Sequence, residues 1–239
     1  MNCLITGAST GIGREIALKL ASMNYNLLLT YNTNFQLCKD LQNKIINKYN
    51  VKCIIEKCDL RDDKDILNII NIFKNNLGNI DVLINNASIS HDNLIDDKER
   101  IEFLDVVNVN LIGTFMMCKY CKDYMNKDGI IINMSSTDGI DTYSLYNIDY
   151  SVSKAGIIHL TKCLSLILND LKVISVAPNW VDTESTNEMN KNYLESELKR
   201  IGQKKLIKVS TVVDKIINII VDKNIKSGSI IRIEDEDDE

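Results

Sequence analysis

The chain has 239 residues, of which 45% are hydrophobic, 26% are charged and one is a proline. That length is enough to bury a full core, and no apolar run of 18 residues suggests a membrane span. The formal charge of −5 is misleading, because residues 234–239 are all acidic and the remainder carries 28 basic against 27 acidic groups. A near-neutral body with a short acidic tail, expected to be disordered and solvated, offers no basic surface for nucleic acid. Met1-Asn2 leads straight into a strand-like run, so no signal peptide is expected. Seven cysteines, an odd number without a secretory context, predict reduced thiols and a cytoplasmic protein.

In chain order the sequence alternates between two periodicities. Strands are predicted at 3–5, 26–31, 52–57, 82–85, 130–134, 173–176 and 230–233. Helices are predicted at 13–23, 35–49, 64–77 and 98–124 and over the segment 149–168. Short apolar runs separated by helices are the pattern of a parallel sheet covered on both faces. The predicted fold is therefore a single-domain, Rossmann-like α/β protein with a doubly wound parallel sheet. Its ligand crevice should lie at the carboxyl ends of the strands. The domain is expected to span residues 1–233, with no internal linker or repeat.

Directly after the first strand comes Thr6-Gly7-Ala8-Ser9-Thr10-Gly11-Ile12-Gly13. Glycines here allow a sharp turn and let the backbone approach a pyrophosphate seated on the following helix N-terminus. Farther on, Tyr150 and Lys154 are four residues apart in a helical pattern and so share one face. A cation that close favours the phenolate, which predicts a Tyr150 pKa lowered toward neutrality and a proton donor and acceptor at physiological pH. Cys118-Lys119-Tyr120-Cys121 has metal-site spacing, but it stands alone in a helical pattern and reads as packing. No metal site is expected.

The spacing Gly-x-x-x-Gly-x-Gly, with Asn85-Asn86-Ala87-Ser88, Ser136 and Tyr150-x-x-x-Lys154, resembles the short-chain dehydrogenase/reductase family over nearly the whole chain. That resemblance implies a catalytic set of Asn110, Ser136, Tyr150 and Lys154, Asn110 holding a water in a proton relay. It also implies cofactor contacts from Gly7, Ser9, Thr10, Gly11, Ile12 and Gly13 and from Asn32, Asp59 and Leu60. Asn86, Ala87, Ser88, Tyr150, Lys154, Pro178, Val181 and Thr183 complete them. Asp59 would contact adenine, although it also reads as an ordinary strand-end carboxylate. Two glycines of the family pattern are replaced, by Ser88 and by Asn179, the latter acceptable because asparagine tolerates left-handed backbone. Trp180 is placed at the cofactor and substrate mouth or in simple packing. Residues 184–200 read as a polar, partly helical lid. The gap from Ser136 to Tyr150 is one residue longer than the resemblance implies, so an altered loop is expected around 143–147.

The second strand ends in Thr30-Tyr31-Asn32-Thr33-Asn34 without the carboxylate that would repel a 2′-phosphate, which favours NADP(H) over NAD(H). Arg14 could reach that site or face solvent; the sequence leaves both open. The implied activity is carbonyl reduction or alcohol oxidation, most like that of 3-oxoacyl-[acyl-carrier-protein] reductases. A small alcohol, sugar or steroid-like carbonyl is the alternative, and a non-catalytic dinucleotide sensor the other class. The expected partners are a small-molecule or carrier-bound carbonyl and a second copy of the chain, in a dimer or tetramer. Phe115, Met116, Met117, Cys118, Ile157 and Leu160 are the apolar residues predicted to exceed what one sheet face needs. Lys122, Lys127 and Lys172 are the expected weak docking patch for an acidic carrier.

Overall fold

The computed structural model describes residues 1–235. Seven parallel strands form one sheet in the order β3-β2-β1-β4-β5-β6-β7. They are β1 (Asn2–Ile5), β2 (Asn26–Tyr31), β3 (Cys53–Lys57), β4 (Ile80–Asn85), β5 (Met125–Met134), β6 (Lys172–Pro178) and β7 (Ile230–Ile233). The strand order reverses between β1 and β4, and that switch point opens the crevice in which such folds bind ligands. Alternate strand residues point to opposite faces. Cys3, Ile5, Leu27, Leu29 and Ile132 join one apolar cluster, and Leu4, Leu28, Leu83, Ile131 and Val173 join the other.

The first face is covered by α1 (Gly11–Ser22), α2 (Phe35–Lys48) and α9 (Val209–Val221). The second is covered by α3 (Asp63–Leu77), α5 (Thr114–Cys121) and α6 (Ile148–Ile167). Helix α9 is absent from the sequence prediction. Its buried Val212, Val213, Ile216 and Ile217 repeat at helical spacing. They are β-branched, however, a composition that favours strands when it is read without its partners.

The helix predicted at 98–124 is interrupted. An α-helical α4 (Arg100–Val107) passes through a π-helical turn at Asn108–Gly113 before α5, and a 3-10 turn closes it at Lys122–Tyr124. By length and composition the stretch Arg100–Tyr124 would cross a bilayer. Here Val106, Val109, Met117, Cys118 and Cys121 are buried within the fold. Met117, Cys118 and Ile157, expected to be surplus apolar surface, are therefore core; the exposed apolar residues of these helices include Ile101, Leu104, Ile112, Phe115, Ile148 and Val152, with Leu166 and Ile167 at the far end of α6. The acidic tail begins as bonded structure: Arg232 donates to Glu234 at 2.6 Å and the Lys204 N–H to Asp235 at 2.8 Å. Residues 236–239 lie outside the described residues.

Candidate active site

The turn after β1 is built for close approach. Gly7 has φ +62°, and a Cβ there would come within 2.7 Å of Ala87 Cα. A Cβ on Gly13 would meet Gly7 O and Asn86 Nδ2, both at 2.5 Å. Asn86 explains this crowding, because its Nδ2 donates to the carbonyls of Thr6 (3.1 Å) and Gly7 (2.8 Å). Thr6 Oγ1 in turn accepts from the N–H groups of Asn86 and Ala87. The turn is thus clamped to the end of β4 and leads into the N-terminus of α1, the helix end that an anionic pyrophosphate approaches.

A cleft of about 630 Å³ runs along this turn. Gly7, Ser9, Thr10, Gly11 and Ile12 line it, with Asn32, Asp59, Leu60, Asn86, Ala87, Ser88 and Thr183. These predicted cofactor residues come from five separate stretches of chain. A second cavity of about 510 Å³ continues it, sharing Ile12, Ser88 and Thr183 and adding Ser136, Tyr150, Pro178, Trp180 and Val181. Gly13, also predicted to contact the cofactor, lies buried beneath the turn and does not line the cleft. Both carboxylate oxygens of Asp59 accept from Arg61, at 2.8 and 2.6 Å, and Arg61 also donates to Asp105 at 2.8 Å. The Arg61 hydrogen bonds hold the Asp59 carboxyl below its ordinary range. Nothing in the sequence pattern announces Arg61 as the guanidinium lining this cleft.

Arg14 lies in a separate groove on the outside of α1. It pairs with Glu15 at 3.1 Å and Glu184 at 2.5 Å. Glu184 also accepts the Gly11 N–H at 3.1 Å. Its own backbone N–H, Arg14 and Gly11 all favour the charged form and hold its carboxyl low. The first residue of the lid thus places a carboxylate at the amide end of α1.

At the carboxyl end of β5, Ser136 starts a 3-10 turn, Thr137–Gly139, and its Oγ accepts the Asp138 N–H at 3.1 Å. Tyr150 lies in the first turn of α6 and lines the same cavity as Ser136, close enough for the Ser136 hydroxyl to act on its proton affinity. Lys154, one turn on, is buried; its Nζ donates to Met134 O at 2.9 Å and lies 5.1 Å from the centre of the Tyr150 ring.

The expected lowering of the Tyr150 pKa is not what this geometry produces. Burial, reinforced by the negative charge of Asp138, raises it above its ordinary value, against the pull of the Ser136 hydrogen bond. Burial pushes Lys154 the other way, down to about 7, with Asp138 opposing. Spacing along a helix reveals the neighbouring cation but not the desolvation of both groups. Tyr150 therefore holds its proton at neutral pH, the form a proton donor needs.

Several residues that position Tyr150 escape sequence reasoning. Asp149, fully buried, accepts from Lys98 at 3.1 Å and caps the Tyr150 N–H at 2.9 Å. Lys98 also donates to His91 O, so one buried ion pair ties the loop after β4 to the start of α6. Asn110, in the π-helical turn, accepts from the Ile89 N–H and donates to Ile89 O, both at 2.9 Å, and to Ser153 at 3.1 Å. Such turns commonly mark functional positions. In the loop expected to be longer, Tyr143 takes φ +39°, a region bulky residues avoid. Tyr146 stacks edge-on against Tyr193 of the lid.

The left-handed backbone expected at Asn179 is absent: its φ is not positive. Instead its Oδ1 accepts from Thr137 at 3.2 Å and from the Trp180 N–H at 3.1 Å, contacts a glycine could not make. Trp180 lines the cavity and meets Tyr193 edge-on. The lid is α7 (Glu184–Asn187) and α8 (Lys191–Ile201), and Arg200 fastens it by donating to Thr142 O at 2.8 Å. Cys118 and Cys121 are buried packing thiols, Cys118 pushed up to about 12 by burial. Among the described residues no cluster of His, Cys, Asp or Glu could hold a metal ion. The lysines expected near the mouth, Lys122 and Lys127 before the core of β5 and Lys172 opening β6, lie at the opposite end of the sheet. Parallel strands put all their starts on the edge away from Ser136.

The profile of the short chain dehydrogenase family matches residues 1–194. The chain is 35% identical over 187 residues to a 3-oxoacyl-[acyl-carrier-protein] reductase of Aquifex aeolicus (strain VF5), covering 77% of this chain and 75% of that one. It is 31% identical over 237 residues to the enzyme of the same name from Buchnera aphidicola subsp. Baizongia pistaciae, covering 96% and 94%. A dehydrogenase/reductase from Sinorhizobium meliloti 1021 shares the fold with a TM-score of 0.90 at 24% identity, over 97% of this chain and 92% of that one. A short chain dehydrogenase from Burkholderia cenocepacia J2315, solved in complex with NADP, does so with a TM-score of 0.91 at 22% identity, over 97% and 95%. The chain belongs to the short-chain dehydrogenase/reductase family of NAD(P)-dependent oxidoreductases.

Proposed function

We propose that this protein is an NADPH-dependent carbonyl reductase acting on 3-oxoacyl thioesters carried by an acyl carrier protein, with Tyr150 as proton donor. The observation that supports this most is that Ser136 and Tyr150 line the cavity continuing the dinucleotide cleft, with Lys154 Nζ buried 5.1 Å from the centre of the Tyr150 ring. The curated relatives named above carry the same activity in their names.

The glycine turn at the N-terminus of α1, with Asn32, Asp59, Leu60 and Ala87 along the cleft, suits a dinucleotide. NADPH is favoured because no carboxylate ends β2 to repel a 2′-phosphate. When bound, the nicotinamide supplies the hydride. Tyr150 gives its proton to the substrate oxygen as the carbon is reduced, so the carbonyl leaves as an alcohol. Ser136 donates a hydrogen bond to the same oxygen while negative charge develops there. Lys154 holds the ribose and, when protonated, stabilises the tyrosinate left behind. Asn110, bonded to Ser153 beside Lys154, serves the relay that reprotonates Tyr150.

The reading includes a cytoplasmic homo-oligomer assembled through Ile101, Leu104, Ile112 and Phe115 with Ile148 and Val152 of α6. Since Lys122, Lys127 and Lys172 lie at the far end of their own sheet, in this reading they serve the mouth of a neighbouring subunit. The test compares NADPH oxidation by an acetoacetyl group on carrier protein with the same group on a small thiol, at low and high salt. A carrier advantage that salt erodes is expected. No advantage at low salt would replace the carrier with a free small-molecule substrate.

A further inference from the structure

The dinucleotide cleft runs along the carboxyl edge of the sheet, and the strand order decides which half of the ligand lies where. The glycine turn follows β1, and Ser136 follows β5 on one side of it. The nucleoside that takes no part in the reaction therefore lies on the other side, over the ends of β2 and β3. Asn32, Asp59 and Arg61 line the cleft there. Leu60, Ala87 and Val109 give the same cleft apolar surface suited to a planar base.

Arg61 is the one lysine or arginine in that lining. Its Nε and Nη2 donate to Asp59 at 2.8 and 2.6 Å, and its Nη1 donates to Asp105 at 2.8 Å. One guanidinium shared by two carboxylates has no surplus positive charge to offer a 2′-phosphate. It suits a neutral partner better. A guanidinium carries five N–H groups, so Nη1 and Nη2 each keep one beyond these bonds. The Arg61 side chain is 41% exposed, which leaves them within reach of a ligand. Asp59 Oδ1 accepts twice, from Nε and from the Arg61 backbone N–H at 3.0 Å, whereas Oδ2 accepts only from Nη2.

The bonded atoms Oδ2 and Nη2 thus present an acceptor beside a donor. An asparagine side-chain amide has the same arrangement, and it pairs with adenine because N6–H₂ donates next to the N7 acceptor. A 6-oxopurine carries an acceptor, O6, in place of N6–H₂, and that oxygen would face the Asp59 carboxylate.

We propose that Arg61 is a specificity-determining residue of the cofactor site: its guanidinium, with the Asp59 carboxylate it holds, selects adenine over a 6-oxopurine in the dinucleotide. This rests on reading the cleft as the dinucleotide site and is independent of which carbonyl is reduced.

The test titrates three reduced dinucleotides by fluorescence: NADPH, NADH and the hypoxanthine analogue of NADPH. The native protein should bind the hypoxanthine analogue about tenfold or more weakly than NADPH, within the discrimination a paired base edge gives. In Arg61→Met that ratio should shrink several-fold, while the ratio of NADPH to NADH affinity stays at its native value. Arg61→Lys keeps the charge but not the fork, so it should shrink the base ratio too, and it carries the test should Arg61→Met fail to fold. A native base ratio near one overturns the proposal. So does an equal loss of affinity for both bases in the variants, which would make Arg61 a strap holding the cleft together. A loss that falls on NADPH and spares NADH also overturns it, by assigning Arg61 to the 2′-phosphate. Native protein that binds none of the three overturns the dinucleotide reading as well.

Discussion

The glycine turn after β1 and the loop from Ser136 to Tyr150 lie along one edge of the same sheet, yet different forces hold them. The turn is made from backbone and absence: no Cβ at Gly7 or Gly13, and an asparagine amide that clamps carbonyls in place. Glu184 on the Gly11 N–H is its one charged partner among the described residues, and its geometry is fixed mainly by contact. The Ser136–Tyr150 loop is held by charges and polar side chains drawn from distant parts of the chain. Lys98 reaches Asp149 across 51 positions, Arg200 reaches Thr142 across 58, and Arg232 reaches Asp141 across 91. A binding region can be rigid through sterics alone, whereas a proton-transfer region must also set the charge on its groups. At Tyr150 burial and the Asp138 charge, more than the pairing with Lys154, set the direction of the pKa shift.

That contrast can be broken at either end, and the largest effect is expected at the turn. Gly13→Val would drive side-chain atoms into Gly7 O and Asn86, already 2.5 Å from a bare Cβ. NADPH binding should vanish in a fluorescence titration, and thermal stability should fall with it. Retained binding would show that the turn yields more than its packing implies.

On the catalytic side, Lys98→Met strands Asp149, which is fully buried, without its counter-charge. Breaking a buried pair in this way costs about 3–5 kcal/mol. For a chain of this size that is a fall in Tm of roughly 6–20 °C. Turnover should drop more than NADPH affinity, because the ion pair orients α6 and not the glycine turn. An unchanged melting curve would mean the pair is not structural.

How much of this is written in the sequence divides along the same line. The glycine spacing, the Tyr150–Lys154 pair and every strand position of the sheet are local patterns, and they are legible because backbone geometry sets them. Asp138, Lys98, Glu184 and Arg61 are ordinary surface residue types whose importance comes only from what folding brings beside them. Helix α9 was illegible for another reason, its β-branched residues suiting strand and helix alike until the sheet gives them a face. The Tyr150 proton affinity was misread because burial leaves no mark in residue spacing.

The smallest effect tests where the two regions touch. Glu184 puts a carboxylate on the Gly11 N–H, at the end of α1 that a pyrophosphate would approach. Glu184→Gln keeps the shape and removes the charge, so NADPH should bind a few-fold tighter, a gain within the roughly 0.3–1 kcal/mol of a charge at a helix end. Weaker binding would mean that Glu184 organises the site and does not compete for it.

The separation of binding from proton transfer is the central claim, and Tyr150→Phe tests it most directly. The variant keeps the ring in the cavity and removes only the hydroxyl beside Ser136. Measured side by side, NADPH affinity should stay within about twofold of native, while turnover with an acetoacetyl thioester falls by about 10² or more. Near-native turnover in a folded, NADPH-binding Tyr150→Phe protein would remove Tyr150 from the chemistry and contradict the account.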